Sequence, residues 1–277
     1  YPKSGNTWLR ALLTSYFHSP NGEYNFKILK NIYQFPSKVF FKDYPKNFFK
    51  LADTSNFWFD AQNKINKENK FRLFKTHNAL LKINNNEFTN KKNTNGCIYI
   101  IRDPRNVITS VKNHYEQSYS EALDWMLDDK GHLYTKEGDQ FIDFNFLGSW
   151  KNHYKSWIST KEFPILPVRY EDFENKPLEV LKDVINFIIK VGALNNSFDE
   201  SKAKISIESC KFENLKKIEE NEGFKEAPIG QKTKKKKIFF NLGKKNNWKK
   251  LLPENIKKEM NEVFKEDLIR WGYRIDD

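Results

Sequence analysis

Residues 1–8 read YPKSGNTW, Tyr1 to Trp8, and the chain runs on without a break into WLRALLTSYF. Along that continuation Trp8, Leu9, Leu12, Leu13, Tyr16 and Phe17 fall on one face of a helix. A Gly-containing turn that enters a helix N-terminus gathers unpaired backbone N–H groups, and the helix dipole adds partial positive charge, so the arrangement holds anions. Lys3 contributes a full charge, Ser4, Asn6 and Thr7 contribute side-chain donors, and Gly5 lets the backbone approach a ligand closely. The Lys precedes the Gly, and the pattern G-x-x-x-x-G-K-[ST] is missing, which weakens an ATPase reading of the loop.

The rest of the chain agrees with an anionic ligand. With 277 residues and 33.1 kDa it can bury a sizeable core, and a single α/β domain over residues 1–277 is expected. The formal charge of +12 raises the local concentration of anions without saying which one. Much of the excess Lys sits in runs such as Thr233 to Lys237, read here as a mobile basic loop. Cys97 and Cys210 are too few for a disulfide framework or a thiolate zinc site, which suits a reducing compartment. No apolar stretch reaches the roughly 18 residues of a membrane span, and no signal-peptide pattern is seen. A cytoplasmic location without stable membrane insertion is therefore expected.

Short apolar runs alternate with amphipathic helices, the pattern of a mostly parallel sheet flanked by helices in three layers. Phe71 to Lys75 and Cys97 to Ile101 read as buried strands, with Ile165 to Tyr170 as a third. Asp103-Pro104 supplies an N-cap and first-turn Pro for a helix carrying Val107, Ile108 and Val111. Pro177 opens another, with Leu181, Val184, Ile185, Ile188 and Ile189 as its apolar face and Gly192 as its stop. Pro253 begins a last one, whose buried side is expected to be Ile256, Met260, Val263, Phe264 and Leu268. From the turn at Ser19-Pro20 to about Lys70 a peripheral insertion is expected, and Glu219 to Asn247 reads as a flap that orders on ligand binding.

YPKSGNTW resembles the 5′-phosphosulfate loop of the cytosolic-type sulfotransferases, a family with a P-loop-NTPase-like fold that uses 3′-phosphoadenosine 5′-phosphosulfate (PAPS) as donor. Other stretches are similar to the family's marks in the same order. Lys75-Thr76-His77 matches its strand-end Lys-Thr-His, and Arg102 with Ser110 matches its 3′-phosphate pair. Gly148 to Trp157 and Tyr170 to Asp172 resemble its Gly-Ser-Trp helix and Tyr-Glu-Asp strand, and Lys211 to Gly223 resembles the segment whose Phe packs on adenine. Phe239 to Lys250 resembles the Arg-Lys-Gly…Gly-Asp-Trp-Lys stretch that closes over the nucleotide. In the family an apolar strand leads into the phosphosulfate loop, so one is expected ahead of Tyr1.

The resemblance implies roles. Sulfuryl transfer, by analogy with phosphoryl transfer, is mostly positioning and electrostatic stabilisation. Lys3 meets charge on the leaving phosphate, and Ser4, Gly5, Asn6 and Thr7 complete the cradle. His77 takes the acceptor's proton, a job typically worth ~10²–10⁴ in rate, and Lys75 holds the transferring group's oxygens. Arg102 and Ser110 bind the 3′-phosphate, while Trp8, Phe212 and Tyr170 take the adenine. Of the other histidines, His18, His132 and His153 carry no chemistry, and His114 lines the acceptor pocket. Where the family has Arg-Lys-Gly this chain has Asn241-Leu242-Gly243, which removes a cation from the expected 3′-phosphate contact; Lys237 and Lys244 are the candidates to replace it. The Gly-Asp-Trp-Lys piece is altered to Asn246-Asn247-Trp248-Lys249.

The expected function is thus a PAPS-dependent sulfotransferase acting on a hydroxyl of a small molecule, lipid or glycan, with no metal and no nucleic-acid partner. Two alternatives stand beside it: a P-loop kinase or nucleotidase, and a basic nucleotide- or nucleic-acid-binding protein without catalysis. The acceptor pocket is expected from residues 21–70 and 115–146.

Overall fold

The computed structural model describes residues 1–44, 48–68, 70–230 and 234–275. In chain order the helices are α1 Asn6–His18, α2 Trp58–Asn66, α3 Pro104–Tyr115, α4 Tyr119–Leu127, α5 Trp150–Ile158, α6 Tyr170–Asn175, α7 Pro177–Val191, α8 Glu200–Ser209, α9 Phe212–Glu222, α10 Trp248–Leu251, α11 Glu254–Val263 and α12 Lys265–Arg270. The strands are β1 Tyr33–Gln34, β2 Phe74–Lys75, β3 Lys82–Ile83, β4 Asn86–Glu87, β5 Cys97–Ile101, β6 His132–Glu137, β7 Gln140–Phe146 and β8 Ile165–Arg169.

The sheet among the described residues consists of two-stranded pieces: parallel pairs β1–β2 and β5–β8, and antiparallel hairpins β3–β4 and β6–β7. The β5–β8 pair runs in register from Cys97 opposite Ile165 to Ile101 opposite Arg169. Because successive side chains of a strand point to opposite faces, these residues divide between two cores. Tyr99 and Ile101 enter one with Val107, Ile108, Val111, Trp150 and Tyr154. Ile98, Ile100 and Val168 face the other, with Leu9, Leu12, Leu13, Leu181, Val184 and Ile185. Helix, sheet and helix therefore stack in three layers around the pair.

Local signals place the helix starts that matter. Asp103 Oδ1 accepts a 2.9 Å hydrogen bond from the Arg105 amide, capping α3 directly after β5. Helix α6 begins at Tyr170, directly after the last residue of β8, and α7 opens at Pro177 and is capped by Gly192. Arg102 and Tyr170 consequently sit at the carboxyl ends of adjacent parallel strands, where open α/β sheets carry their sites.

Several expectations are corrected. Of the stretch 71–75 only Phe74–Lys75 is strand, and Phe71 and Phe74 are 39% and 37% exposed, because β2 pairs on one side only and its other side borders a groove of about 600 Å³ that separates it from β5. The described part of 19–70 is not wholly peripheral: Phe35, Phe41, Tyr44, Phe48 and the fully buried Trp58 belong to the first core. Their aromatic bulk is what admits them. Val263 is 41% exposed, since α11 ends there and the chain turns at Phe264 into α12. Described residues of the stretch read as a flap make contact with α9 in this structure. The Glu219 carboxylate accepts from the amides of Phe239 and Phe240 at 2.7 and 2.9 Å, and Phe224 packs against both of those rings. In the basic run, Lys234 to Lys236 are exposed and Lys237 is half-buried, while Thr233 lies outside the described residues. Among the described residues no helix is long and apolar enough to cross a membrane.

Candidate active site

The opening loop is held in a conformation that few sequences tolerate. Lys3 has φ of 68° and Gly5 has φ of 105°, both in the left-handed region. A Cβ on Gly5 would lie 2.5 Å from Cδ2 of Tyr170, so the Gly is demanded by contact as well as by φ. Two turns of opposite origin thus fit together: the loop after Tyr1 and the start of α6. From Gly5 the chain enters α1, whose first bond runs from the Leu9 amide to the Gly5 carbonyl at 3.1 Å, leaving the amides before it without helical partners.

Lys3 reaches across to α3. Its Nζ donates to Nδ1 of His114 at 3.2 Å and lies 4.6 Å from the centre of the Phe239 ring. Burial, then the nearby charges of Arg102, Lys75 and Lys237, brings its pKa down to about 8. His114 is pushed down to about 3 by burial, Lys3 and Lys237, so it is a neutral acceptor for the ammonium.

All of these groups face one cavity of about 760 Å³. It is lined by Lys3, Gly5, Asn6, Thr7, Trp8, Lys75, His77, Arg102, Ser110, Tyr170, Phe212, Asn241, Leu242 and Gly243, that is, by every residue expected from the sequence except Ser4. Ser4 is buried with an unpartnered hydroxyl and lines the groove behind the loop instead.

At one end, Arg102 is bonded to no carboxylate among the described residues. Asp103 is occupied by Arg105 at 2.8 Å; Arg102 donates to the Lys3 carbonyl at 3.2 Å, stacks 4.1 Å over the Tyr170 ring, and keeps a buried Nε without a partner. A buried guanidinium with spare donors and no counterion is suited to an incoming anion. Ser110, two turns along α3, has Asn246 as its partner at 2.9 Å. Beside them Trp8 donates to the Cys210 carbonyl at 3.0 Å, and a Cβ on Gly243 would meet the Phe212 ring at 2.6 Å, so ring and backbone are in direct contact.

At the other end, His77 follows β2. Its carbonyl accepts from Nε2 of His153 at 3.1 Å, which leaves Nδ1 of His153 to accept from the Tyr99 hydroxyl at 2.7 Å. His153 thus buttresses the backbone of His77 from the core. Burial first, then Lys75, holds the His77 imidazole well below its usual range. Lys75 is buried and lies 3.4 Å from Glu226, which also receives Arg10 at 2.8 Å. Burial pushes Glu226 upward, but Lys75 and Arg10 together bring it below the usual carboxylate range. The β6–β7 hairpin closes this end with Leu133, Tyr134, Thr135 and Asn145, and Gln34 is contributed by β1.

Sequence reasoning did not name Glu226 or Arg10, and it gave His153 and Asn246 no partner. Each acts through a partner far away in the chain, and no local spacing marks such a pairing.

The sulfotransferase domain family matches residues 1–272, so the chain belongs to the sulfotransferase family and is a transferase. Among its relatives is cytosolic sulfotransferase 16 of Arabidopsis thaliana, 27% identical over 90% of this chain and 68% of that one. Mouse sulfotransferase 1B1 is 22% identical over 97% and 80% of the two chains. The fold is the α/β sulfotransferase fold. Mouse sulfotransferase SULT7A1, solved in complex with PAP, aligns with a TM-score of 0.53 at 18% identity over 97% of this chain and 81% of that one. Retinol dehydratase, solved with androsterone and the inactive cofactor PAP, aligns with a TM-score of 0.55 at 17% identity over 97% and 78%.

The loop geometry makes a direct prediction. Gly5→Ala adds a methyl against Tyr170 at a positive φ, and is expected to cost about 1–3 kcal/mol. Urea denaturation of the two proteins measures it, and an unchanged midpoint would show that the loop does not need this Gly.

Proposed function

We propose that the protein transfers a sulfuryl group from PAPS to a hydroxyl of a small molecule, lipid or glycan. One observation carries the reading: Lys3, Arg102, which meets no carboxylate among the described residues, and a neutral imidazole at His77 line the same cavity, together with the aromatic rings of Trp8, Tyr170 and Phe212. The relatives solved with PAP, the desulfated form of that donor, add support.

When bound, PAPS supplies an activated sulfuryl group on a phosphate leaving group. Lys3 and the free amides at the start of α1 hold the 5′-phosphate, and Arg102 and Ser110 hold the 3′-phosphate. Trp8, Phe212 and Tyr170 enclose the adenine, and Asn241, Leu242 and Gly243 lie toward the 3′-phosphate. His77, kept neutral, accepts the proton of the acceptor hydroxyl as the new S–O bond forms and the bond to the 5′-phosphate breaks. Lys3 meets the negative charge that grows on that phosphate, where it is worth more than in the ground state. Lys75 steadies the transferring oxygens, and Glu226 holds Lys75 at the cavity wall. The scheme routes no step through a metal.

Two outcomes follow. His77→Ala is expected to lose ~10²–10⁴ in turnover while keeping its affinity for adenosine 3′,5′-bisphosphate; Arg102→Ala is expected to weaken that affinity about tenfold or more. Titration calorimetry with initial rates separates the two, and equal turnover in wild type and the His77 variant defeats the base assignment.

The pH profile of kcat/KM for the donor reports groups of the free enzyme. Lys3 has a folded pKa below its ordinary value, so the loop's charge is present below about 8 and is lost as pH rises through that value. An alkaline limb near 8 is expected, and Lys3→Arg is expected to move it upward because a guanidinium stays charged. His77 is already neutral at its ordinary pKa, which places its acid limb below pH 6.5. A limb near 8 that Lys3→Arg leaves in place contradicts the role given to Lys3.

A further inference from the structure

Asn246 stands where the resemblance calls for a Gly, and its side chain makes contacts that a Gly cannot make. Its Nδ2 donates to the carbonyl of Asn106 at 3.0 Å and to Oγ of Ser110 at 2.9 Å. A carbonyl only accepts, so the nitrogen end of the carboxamide is fixed toward α3, and Ser110 Oγ receives the second N–H. The residue is buried and lines the cavity beside Ser110, and its Oδ1 is buried without a partner.

This has a consequence for the hydroxyl. A Ser inside a helix ordinarily gives its proton to the carbonyl of the preceding turn. For Ser110 that carbonyl belongs to Asn106, which already receives Asn246. With one lone pair of Oγ taken by Asn246 and the preceding carbonyl occupied, the Ser110 proton is left free to be donated into the cavity. The surrounding chain keeps the carboxamide in place: the Trp248 amide donates to Oδ1 of Asn106 at 2.9 Å, and the Trp248 ring lies 3.8 Å under the Arg105 guanidinium.

We propose that Asn246 is a positioning residue for the 3′-phosphate of the nucleotide, acting by orienting the Ser110 hydroxyl as a donor and offsetting the cation missing at Asn241. The inference rests on the functional reading above, which makes Ser110 a phosphate ligand.

Calorimetry with two probes tests it: adenosine 3′,5′-bisphosphate and adenosine 5′-monophosphate, which lacks the 3′-phosphate. Asn246→Ala is expected to weaken the bisphosphate about tenfold and to leave the monophosphate within about twofold, which also shows that the variant is folded. Ser110→Ala is expected to do the same, and the double variant to be no weaker than either single one, since both remove the same donor. Losses that add in the double variant, an equal loss for both nucleotides, or no loss for either overturns the proposal. A wild-type protein that binds the two nucleotides equally, or neither, overturns the functional reading itself and this inference with it.

Discussion

The arrangement depends on positive charge held out of water without enough negative charge beside it. Lys3, Lys75 and Arg102 converge on one cavity, and burial together with mutual repulsion brings Lys3 down to about 8. Keeping cations this close in a partly dry site is unfavourable unless something compensates. Glu226 compensates Lys75 and Arg10. Among the described residues Lys3 meets the neutral His114 and an aromatic face, and Arg102 a carbonyl and the Tyr170 ring, with no carboxylate bonded to either. These two cations lie where the loop before α1 and the end of β5 meet.

The fold serves this convergence. Parallel pairing of β5 with β8 brings Arg102 and Tyr170 side by side, and the left-handed turn at Gly5 lets the opening loop pack on the same Tyr. Three segments far apart in the chain thus share one ring. The His77 end is organised from the core through the Tyr99–His153 relay to the His77 carbonyl.

Much of this was legible in the residues. The loop, the strand-end Lys75-Thr76-His77 and the Asp103-Pro104 cap are local patterns whose chemistry is set by neighbours in sequence, and the expected helix starts at Pro104 and Pro177 are those observed. What escaped depends on distant partners. Residues 19–70 looked peripheral because they are rich in Lys and Asn, yet Phe35, Phe41 and Trp58 are core, since a large ring outweighs polar neighbours once a cavity accepts it. Phe71 and Phe74 looked buried by composition, but burial requires a covered face, and the groove beside β2 leaves them open. Ser4 is buried and lines the groove behind the loop. Asn246 looked like a departure from pattern, and only the geometry shows it bonded to Ser110.

A crystal structure of the protein with adenosine 3′,5′-bisphosphate tests the central claim most directly. The account requires the 5′-phosphate against Lys Nζ and the amides opening α1, and the 3′-phosphate within hydrogen-bonding reach of Arg102. A nucleotide bound with neither phosphate on these two cations, or bound outside the cavity altogether, contradicts it.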